Sequence, residues 1–214
     1  MKKTHHIKYF LFVILNMLFV LNSCKPAKKD NEQLKGFMLA GIYFIDGYGG
    51  YITTKSFLLE QGRSTDQEFI DGYRLLLEFP YEPQQKEENI SYLKKFWEIN
   101  DKIGLLNEIE ALKQRGYNYK AWDYARAVNI SCVGYSAGYL TKEEVLKILN
   151  EILPLVQSRY PNWKSYFTDY NSGLQDWDAQ SAQAREFKRL TKQILKDKKS
   201  IYNLVLLAKE NKDK

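Results

Sequence analysis

Residues 118–138, with the sequence NYKAWDYARAVNISCVGYSAG, carry the strongest structural signal in this chain. Ala121, Ala125, Val128 and Cys132 recur at the spacing of one helical face and form a stripe of small side chains. Small side chains allow the backbones of neighbouring helices to approach closely. The stretch is therefore predicted to be a central, tightly packed helix.

Helical patterns continue on both sides of this stretch. Thr65 and Thr141 each precede a glutamate by three residues, which is the capping-box pattern of a helix N-terminus. Apolar spacing from Glu87 to Gln114 also predicts helix, with a break at Gly104. These segments predict helices before and after the central one.

Proline and glycine mark where the predicted helices end. Pro154 clashes with the carbonyl of Asn150 in a helix, so a kink or an early end is expected there. Pro161 suits the first turn of the next helix, and a last helical region runs from about residue 179 to 209. Strand signals are confined to Gly41–Ile52, in which residues 47–50 would also fit a plain loop. The predicted fold is mainly α, a single compact multi-helix domain.

The N-terminus has the three parts of a secretory signal. Three lysines accompany an apolar run of 13 residues, Tyr9–Leu21. This length suits a signal core and falls short of the ~20 residues that span a bilayer. Leu21-Asn22-Ser23-Cys24 resembles the lipobox of bacterial lipoproteins, which implies cleavage before Cys24 and lipid on its thiol. An uncleaved membrane span and an ordinary secretory signal are the alternatives.

This interpretation divides the chain into three parts. Residues 1–23 are the lipoprotein signal peptide, residues 24–33 a flexible polar tether, and residues 34–214 the helical domain. The lipobox resemblance places the protein in the cell envelope, held on a membrane by its lipid anchor. No aspartate follows Cys24, which by resemblance to enteric sorting rules favours the outer membrane. The side of the membrane that the domain faces, periplasm or cell surface, is left open.

Cleavage before Cys24 also limits the chemistry of the mature chain. His5 and His6 are the only histidines, and both lie in the signal peptide. Cys132 is the only cysteine besides Cys24, so histidine-dependent triads, zinc sites and an intramolecular disulfide are excluded. Loss of three lysines with the signal lowers the formal net charge from +6 to +3. No nucleic-acid partner, metal or cofactor is predicted.

The central stretch contains one motif with a catalytic meaning. Residues 134–138 match G-x-S-x-G, the nucleophile elbow of α/β-hydrolases. That elbow requires a strand before it and a histidine base, which the mature chain lacks. Gly134 and Gly138 are instead predicted to allow close packing, with Gly138 ending the helix.

Charged residues offer two further candidate sites. Asp123 and Arg126 are three residues apart on the central helix and are predicted to pair. The pair would be either a structural lock or a ligand-facing group in a pocket. Asp169 and Asp176 share a helical face, where a general acid/base pair is one interpretation.

Basic side chains recur at near-helical spacing in the C-terminal region, opposite an apolar face. Contact with anionic lipid, charge balance within the chain and a protein partner are the three interpretations. Residues 60–110 carry 12 acidic and 6 basic side chains and form the acidic counterpart. The basic residues are Arg185, Lys188, Lys192, Lys196 and Lys199.

The chain contains four tryptophans, Trp97, Trp122, Trp163 and Trp177. Core packing is the expected role of most of them. Several tryptophans lining one groove would instead form a sugar or peptide site.

Three of these tryptophans belong to a longer ordered pattern. Trp122-Asp123-x-x-Arg126 is followed by Gly134, Gly138, Tyr160-x-x-Trp163, Tyr170, Gly173 and Trp177. With this pattern the chain resembles the bacterial YbeU/YbeR-like domain of unknown function 1266 (DUF1266), over about residues 105–180. The resemblance implies an α-helical domain and supplies no established activity. It marks five candidates for a ligand or structural cluster: Trp122, Asp123, Arg126, Trp163 and Trp177.

We therefore hypothesise that the protein is a membrane-tethered, non-enzymatic domain that binds an envelope protein or another macromolecule at the envelope. One alternative is a carboxylate-dependent hydrolase of glycan or peptide, acting through Asp123, Asp169 and Asp176. A second alternative is an immunity-type lipoprotein that neutralises an incoming toxin. No catalytic residue is predicted.

Overall fold

The computed structural model describes residues 31–116 and 118–208, and the described residues form one compact unit. The predicted signal peptide and Cys24 lie outside this part of the chain. The described part is mainly α and contains no strand, which confirms the predicted fold class. Its helices are α1 (Glu32–Met38), α2 (Gly41–Gly47), α3 (Tyr51–Glu60), α4 (Asp66–Leu77), α5 (Lys86–Trp97), α6 (Lys102–Gln114), α7 (Lys120–Ser136), α8 (Lys142–Arg159), α9 (Trp163–Asp178), α10 (Ala182–Lys196) and α11 (Ile201–Leu204), with a 3-10 turn at Pro83–Gln85.

Helix α7 lies at the centre of the domain, as predicted. Fifteen of its 17 residues are buried, and it packs against α5, α6, α8 and α9. The stripe of small side chains lies in the core, where Ala121, Ala125 and Val128 have no exposed surface and Cys132 is almost fully buried. Burial of apolar area is favourable by about 25 cal/mol per Å², so α7 holds its neighbours together.

Two glycines determine how closely α6 and α9 approach this central segment. A methyl group at Gly134 of α7 would lie 2.2 Å from Cδ2 of Leu105 in α6. A methyl group at Gly173 of α9 would lie 2.8 Å from the Cβ of Tyr119, the residue before α7. A methyl group at Gly134 would force the end of the Leu105 side chain to move, whereas the crossing at Gly173 requires glycine because a Cβ atom moves only with its backbone. Gly134 therefore has the packing role predicted from the sequence.

Local capping fixes the start of two helices where the sequence predicted it. The Thr65 hydroxyl accepts a hydrogen bond from the backbone N–H of Glu68, and the Glu68 carboxylate accepts one from the Thr65 N–H. Thr141 and Glu144 make the same reciprocal pair at the start of α8. Both capping boxes are thus confirmed.

The break predicted at Gly104 was placed too late in the chain. Helix α5 ends at Trp97 because Glu98 adopts a left-handed φ of 58°. Helix α6 then begins after Asp101, whose carboxylate accepts a hydrogen bond of 2.8 Å from the N–H of Gly104. Gly104 therefore lies in the first turn of α6. An aspartate N-cap, rather than a glycine, separates the two helices.

Helix α8 does not end at Pro154, and Pro161 lies just before the next helix. Helix α8 continues through Pro154 to Arg159, so the early end expected there was wrong. Residues on both sides of the proline, such as Ile152 and Val156, are buried and hold the helix in place. Pro161 precedes the N-cap of α9 instead of lying in its first turn.

The strand signal at Gly41–Ile52 was also wrong. Helix α2 occupies the first part of this segment, and Gly49 and Gly50, both at positive φ, connect it to α3. Ile42 and Ile45 are three residues apart and both fully buried, which a helical face allows and a two-residue strand repeat does not.

The ends of the domain differ in detail from the prediction. Helix α1 begins at Glu32, inside the segment predicted as a tether. The last helical region is two helices, because α10 ends at Lys196 and α11 begins at Ile201. No helix in residues 31–116 or 118–208 combines the length and apolar character needed to cross a membrane.

Candidate functional site

A cleft of about 580 Å³ opens where α2, α5, α6, α7, α9 and α10 meet, and we call it the aromatic cleft. Seven of its 13 lining side chains are aromatic, a composition typical of ligand sites. The aromatic lining is Tyr43, Tyr92, Phe96, Trp97, Trp122, Trp177 and Phe187. The polar lining is Glu98, Glu108, Arg126, Asn129 and Gln183, and Leu174 completes the wall.

Arg126 is the cationic centre of the aromatic cleft. Its guanidinium carbon lies 3.7 Å from the ring centroid of Trp122 and 5.8 Å from that of Trp97. A guanidinium over an indole is stabilised by about 0.5–2 kcal/mol, depending on its desolvation. Nη2 of Arg126 also donates a hydrogen bond to Oδ1 of Asp123, as the predicted pairing requires. The guanidinium is therefore held in one orientation against the cleft wall.

Asp123 holds Arg126 from the core side. The Asp123 side chain is 1% exposed, whereas that of Arg126 is 17% exposed and reaches the cleft. The Lys120 ammonium lies 3.6 Å from the other carboxylate oxygen of Asp123. Two cations thus compensate a buried carboxylate, which would otherwise be very costly. Asp123 is the structural partner of Arg126 and does not itself face the cleft.

Lys120 is itself fixed by the C-terminal end of α6. Its ammonium donates hydrogen bonds to the carbonyls of Leu112, Lys113 and Arg115, at 2.9, 3.1 and 2.8 Å. Burial lowers the pKa of Lys120, while the nearby Asp123 carboxylate opposes that shift. These contacts join the end of α6 to the start of α7 and so place the Arg126 wall of the cleft.

Exposed aromatic rings surround the mouth of the cleft. Trp177 is 60% exposed and Phe96 is 64% exposed, although both are large apolar side chains. The Trp177 ring lies 5.9 Å from the Trp122 ring, with their planes tilted by 38°. Tyr92 packs against Phe96 at 5.3 Å. The cleft therefore presents ring faces to solvent as well as to its interior.

Polar groups on the inner wall are oriented by buried partners. Oδ1 of Asn129 accepts a hydrogen bond of 2.9 Å from the Tyr81 hydroxyl, which leaves the amide N–H groups of Asn129 as donors. Burial raises the pKa of Tyr43 from its ordinary 10.0 to about 12, so its hydroxyl is protonated at neutral pH. The Tyr43 ring packs edge-on against Phe187 and Tyr170.

The structure brings four of the five marked positions to one place. Trp122, Arg126 and Trp177 line the aromatic cleft, with Asp123 directly behind Arg126. Trp163 lies elsewhere, in the core, where its indole N–H donates to the carbonyl of Val205 at 2.8 Å.

Several cleft residues were not identified from the sequence. Tyr92 and Phe96 are four residues apart on α5 and could have been recognised as an aromatic pair on one helical face. Tyr43, Gln183 and Phe187 come from helices distant in the chain, and no sequence pattern connects them to Arg126.

The carboxylates considered for acid/base chemistry do not line the aromatic cleft. Asp169 accepts hydrogen bonds from the backbone N–H of Ala121 at 2.8 Å and from the Tyr160 hydroxyl at 2.6 Å. It thereby caps the first turn of α7 from a neighbouring helix. Asp176 is exposed on α9. The acid/base pair envisaged from the sequence is not assembled here.

The G-x-S-x-G segment has the packing role predicted for it. Ser136 is buried at the end of α7, where its hydroxyl donates to the carbonyl of Glu82 at 2.5 Å and accepts from Nδ2 of Asn89 at 2.9 Å. Gly138 has a φ of 79° and reverses the chain after the helix. The serine is not presented to a cleft by a strand-to-helix turn, so the motif is not a nucleophile elbow.

The Cys132 thiol lies in an unreactive environment. Cys132 is buried and free, and burial raises the pKa of its thiol well above the ordinary value. Within the described parts of the chain, no three His, Cys, Asp or Glu side chains are grouped to hold a metal ion.

The basic C-terminal region has at least one partner inside the domain. Lys199 forms an ion pair of 2.7 Å with Asp66, which belongs to the acidic segment. Lys192 and Lys196 line a second cavity of about 670 Å³, together with Trp163. Charge balance within the chain therefore accounts for part of the basic pattern.

These features define an all-helical domain with a preorganised aromatic cleft. The chain belongs to the family described as "Protein of unknown function (DUF1266)", whose sequence profile matches residues 45–206. The match confirms the resemblance noted from the tryptophan pattern and extends it well beyond residues 105–180. It includes every residue that lines the aromatic cleft except Tyr43.

The chain is also similar to two uncharacterized proteins from Escherichia coli (strain K12). The chain is 38% identical over 60 residues to the uncharacterized protein YbeR, which covers 28% of this chain and 26% of YbeR. It is 36% identical over 67 residues to the uncharacterized protein YbeU, which covers 31% of this chain and 28% of YbeU. The chain thus spans about a quarter of the length of the curated relatives it matches. No solved structure matches.

Proposed function

We propose that this protein is a non-enzymatic binding domain whose ligand site is the aromatic cleft. The observation that carries the proposal is Arg126, stacked on Trp122 and fixed by the buried Asp123 at the centre of the cleft. Such an arrangement lowers the entropy lost on binding, because the side chains that meet the ligand are already ordered. Exposed Trp177 and Phe96 provide the large rings that dominate recognition surfaces.

The distribution of carboxylates favours binding over hydrolysis. A two-carboxylate hydrolase requires a general acid and a base or nucleophile facing one substrate bond. Asp123 is engaged behind Arg126 and Asp169 caps α7, so both have structural partners. In the cleft wall, Glu108 forms an ion pair of 3.1 Å with Arg115. These contacts give Asp123, Asp169 and Glu108 structural partners, which supports a binding role for the cleft.

We further propose that the domain works at the cell envelope, where lipid on Cys24 tethers it to the outer membrane. The support is the lipobox resemblance at residues 21–24, directly after an apolar signal core. Two or three acyl chains anchor a protein stably, since each buried methylene contributes about 0.8 kcal/mol.

Fluorine NMR on the full chain labelled with fluorotryptophan tests the cleft as a binding site. Three of the four tryptophans line the cleft, whereas the buried Trp163 lines the separate cavity of about 670 Å³ and therefore reports any binding outside the cleft. Addition of an extract of bacterial envelopes is expected to shift the resonances of Trp97, Trp122 and Trp177 and to leave that of Trp163 unchanged. An extract that shifts none of the three would refute the proposal.

Replacement of Cys24 tests the tether separately. Cys24→Ala is expected to release the protein from the membrane fraction and to abolish labelling by a fatty-acid probe. Cys132→Ala is the matched control, because that thiol is buried in the core and is expected to leave labelling unchanged. Unchanged fractionation of Cys24→Ala would contradict lipid anchoring.

A further inference from the structure

We propose that the aromatic cleft takes a neutral glycan chain, with sugar rings stacked on the exposed rings of Trp177 and Phe96. This inference rests on the proposed function, because it names the ligand class of the same site. Three properties of the cleft support it: the balance of its charges, its planar polar side chains, and backbone N–H and C=O groups that are already hydrogen-bonded within helices.

The charges of the cleft favour a neutral ligand. Arg126 and Lys120 share the buried Asp123 carboxylate, so one positive charge remains among these three groups. The exposed Glu98 carboxylate in the lining balances it. Glu108 is paired with Arg115. An anionic ligand would meet the carboxylates of Glu98 and Glu108. A cationic ligand would find the Trp122 face already covered by Arg126.

The polar side chains of the cleft suit the hydroxyl groups of a sugar. Asn129, Gln183 and Arg126 are planar donors, and Glu98 and Glu108 are planar acceptors, and all five line the cleft. Adjacent hydroxyls on a pyranose ring bond such planar groups in pairs along the edge of the ring. The same ring carries C–H groups on its faces, which pack on an aromatic surface.

The exposed Trp177 ring packs against the buried Trp122 ring and provides the aromatic surface on this side of the cleft mouth. Their centroids are 5.9 Å apart and their planes are tilted by 38°. Phe96, which lines the cleft from α5, is 64% exposed and gives a second aromatic surface. A chain of linked rings therefore fits better than a single flat ring.

The backbone around the cleft does not favour an extended peptide. The lining residues come from helices or directly follow one, and helical N–H and C=O groups are bonded within the helix. The described residues contain no strand edge to which an extended peptide could add a strand. Recognition at this cleft is therefore made by side chains.

Titration of the full chain with defined oligosaccharides tests the ligand class. The protein, labelled with fluorotryptophan and purified in a detergent without a sugar headgroup, is titrated with cellohexaose, maltohexaose and N-acetylchitohexaose. At least one of these neutral hexasaccharides is expected to shift the Trp177 and Trp122 resonances, while Trp163 stays in place. Peptides of matched length, rich in proline, lysine or glutamate, form the comparison set.

Two exposed phenylalanines provide a matched pair of variants. Phe96→Ala is expected to weaken hexasaccharide binding at least about tenfold, as for an aromatic anchor at an interface. Phe57 is 47% exposed on α3, outside the cleft, so Phe57→Ala is expected to change affinity less than about twofold. Equal affinity losses in the two variants would overturn the assignment of sugar stacking to the cleft mouth.

The possible outcomes distinguish an error in the ligand class from an error in the binding site. Cleft resonances that respond to a peptide and to none of the hexasaccharides would overturn the glycan proposal and leave the cleft as a binding site. Resonances that respond to neither set would also overturn it. If the envelope extract likewise leaves Trp97, Trp122 and Trp177 unchanged, the proposed function fails as well.

Discussion

Gly173 on α9 faces Trp122 on α7 so closely that a methyl group at Gly173 would lie 3.0 Å from the Trp122 Cβ. The same methyl would lie 2.8 Å from the Cβ of Tyr119. Cβ atoms move only with their backbone, so neither contact is relieved by a side-chain rotation. This crossing brings Trp177, on the same helix as Gly173, against Trp122 and thereby forms one wall of the aromatic cleft.

Gly173→Ala is expected to destabilise the domain by about 1–3 kcal/mol, because α7 and α9 must separate to admit the methyl group. Gly47→Ala is the control, since no atom lies within 4 Å of the added methyl and alanine favours a helix by roughly 0.5–1 kcal/mol. Urea unfolding monitored by circular dichroism measures both. Equal midpoints for the two variants would contradict the close crossing.

Arg126→Gln is expected to lower the free energy of unfolding, because it leaves the buried Asp123 with one fewer cation. Breaking a buried pair costs about 3–5 kcal/mol, and the Lys120 ammonium 3.6 Å away should keep the loss near the lower end. Arg189→Gln breaks an exposed pair with Glu186 and is expected to cause no measurable change. Chemical denaturation that gives the same stability for both variants would show that Asp123 does not depend on Arg126.

Asp169→Asn distinguishes a structural carboxylate from a catalytic one. Asparagine weakens the cap on Ala121 and the short bond from Tyr160, so a loss of about 1.5–3 kcal/mol is expected, as for hydrogen bonds to charged groups. Asp176→Asn changes an exposed carboxylate and is expected to leave the unfolding midpoint unchanged. A thermal melt of Asp169→Asn that matches the parent protein would argue against the capping role.

Stability is expected to fall in alkaline solution as buried tyrosines ionise. Burial raises the pKa of Tyr43 from 10.0 to about 12 and raises those of Tyr81 and Tyr202 as well. A pKa raised in the folded state contributes stability that is complete below the unfolded pKa and lost as pH rises through the folded one. The stability contributed by Tyr43 is therefore expected to be lost as the pH rises from about 10 to about 12.

Tyr43→Phe tests this window, because it keeps the ring and removes the titrating hydroxyl. The free energy of unfolding of the variant should decline less steeply between pH 10 and about 12 than that of the parent. An identical decline would mean that Tyr43 ionises equally in the folded and unfolded chains.

Acid should weaken the start of α4 through its capping box. Hydrogen bonds from the backbone of Thr65 and Ser64 lower the pKa of Glu68 from 4.5 to about 2. A lowered pKa contributes stability that is present above the unfolded value and lost as pH falls through the folded one, here from about 4.5 to 2. Glu68→Gln should reduce this acid dependence, whereas Glu60→Gln, outside the box, should retain it. Amide hydrogen exchange in the first turn of α4 reports the difference, and equal profiles would oppose the assignment.

The features predicted correctly from the sequence are mostly local. Thr65 and Glu68 pair because they are three residues apart at a helix start, and Asp123 meets Arg126 for the same geometrical reason. The small residues of α7 predicted a central helix because residues at this spacing along the chain lie on one face of a helix. Such contacts depend on helix geometry alone.

Single-residue signals were less reliable where another contact decided the outcome. Gly104 suggested a helix break, yet the cap supplied by Asp101 placed that residue inside α6. Pro154 suggested an early end, yet burial of the surrounding face kept α8 continuous. Trp163 belonged to the recognised pattern, but its hydrogen bond to Val205 places it in the core instead of the cleft.

The helical class, the central segment, the pair of Asp123 and Arg126 and the family were all predictable from the order of residues along the chain. Only the tertiary structure decided that Tyr43, Phe96 and Trp177 converge on Arg126. Residues three or four apart meet because the helix repeats, whereas side chains from separate helices meet only where the helices cross. Those crossings depend on close contacts such as that of Gly173 with Trp122, which no single segment of the chain contains.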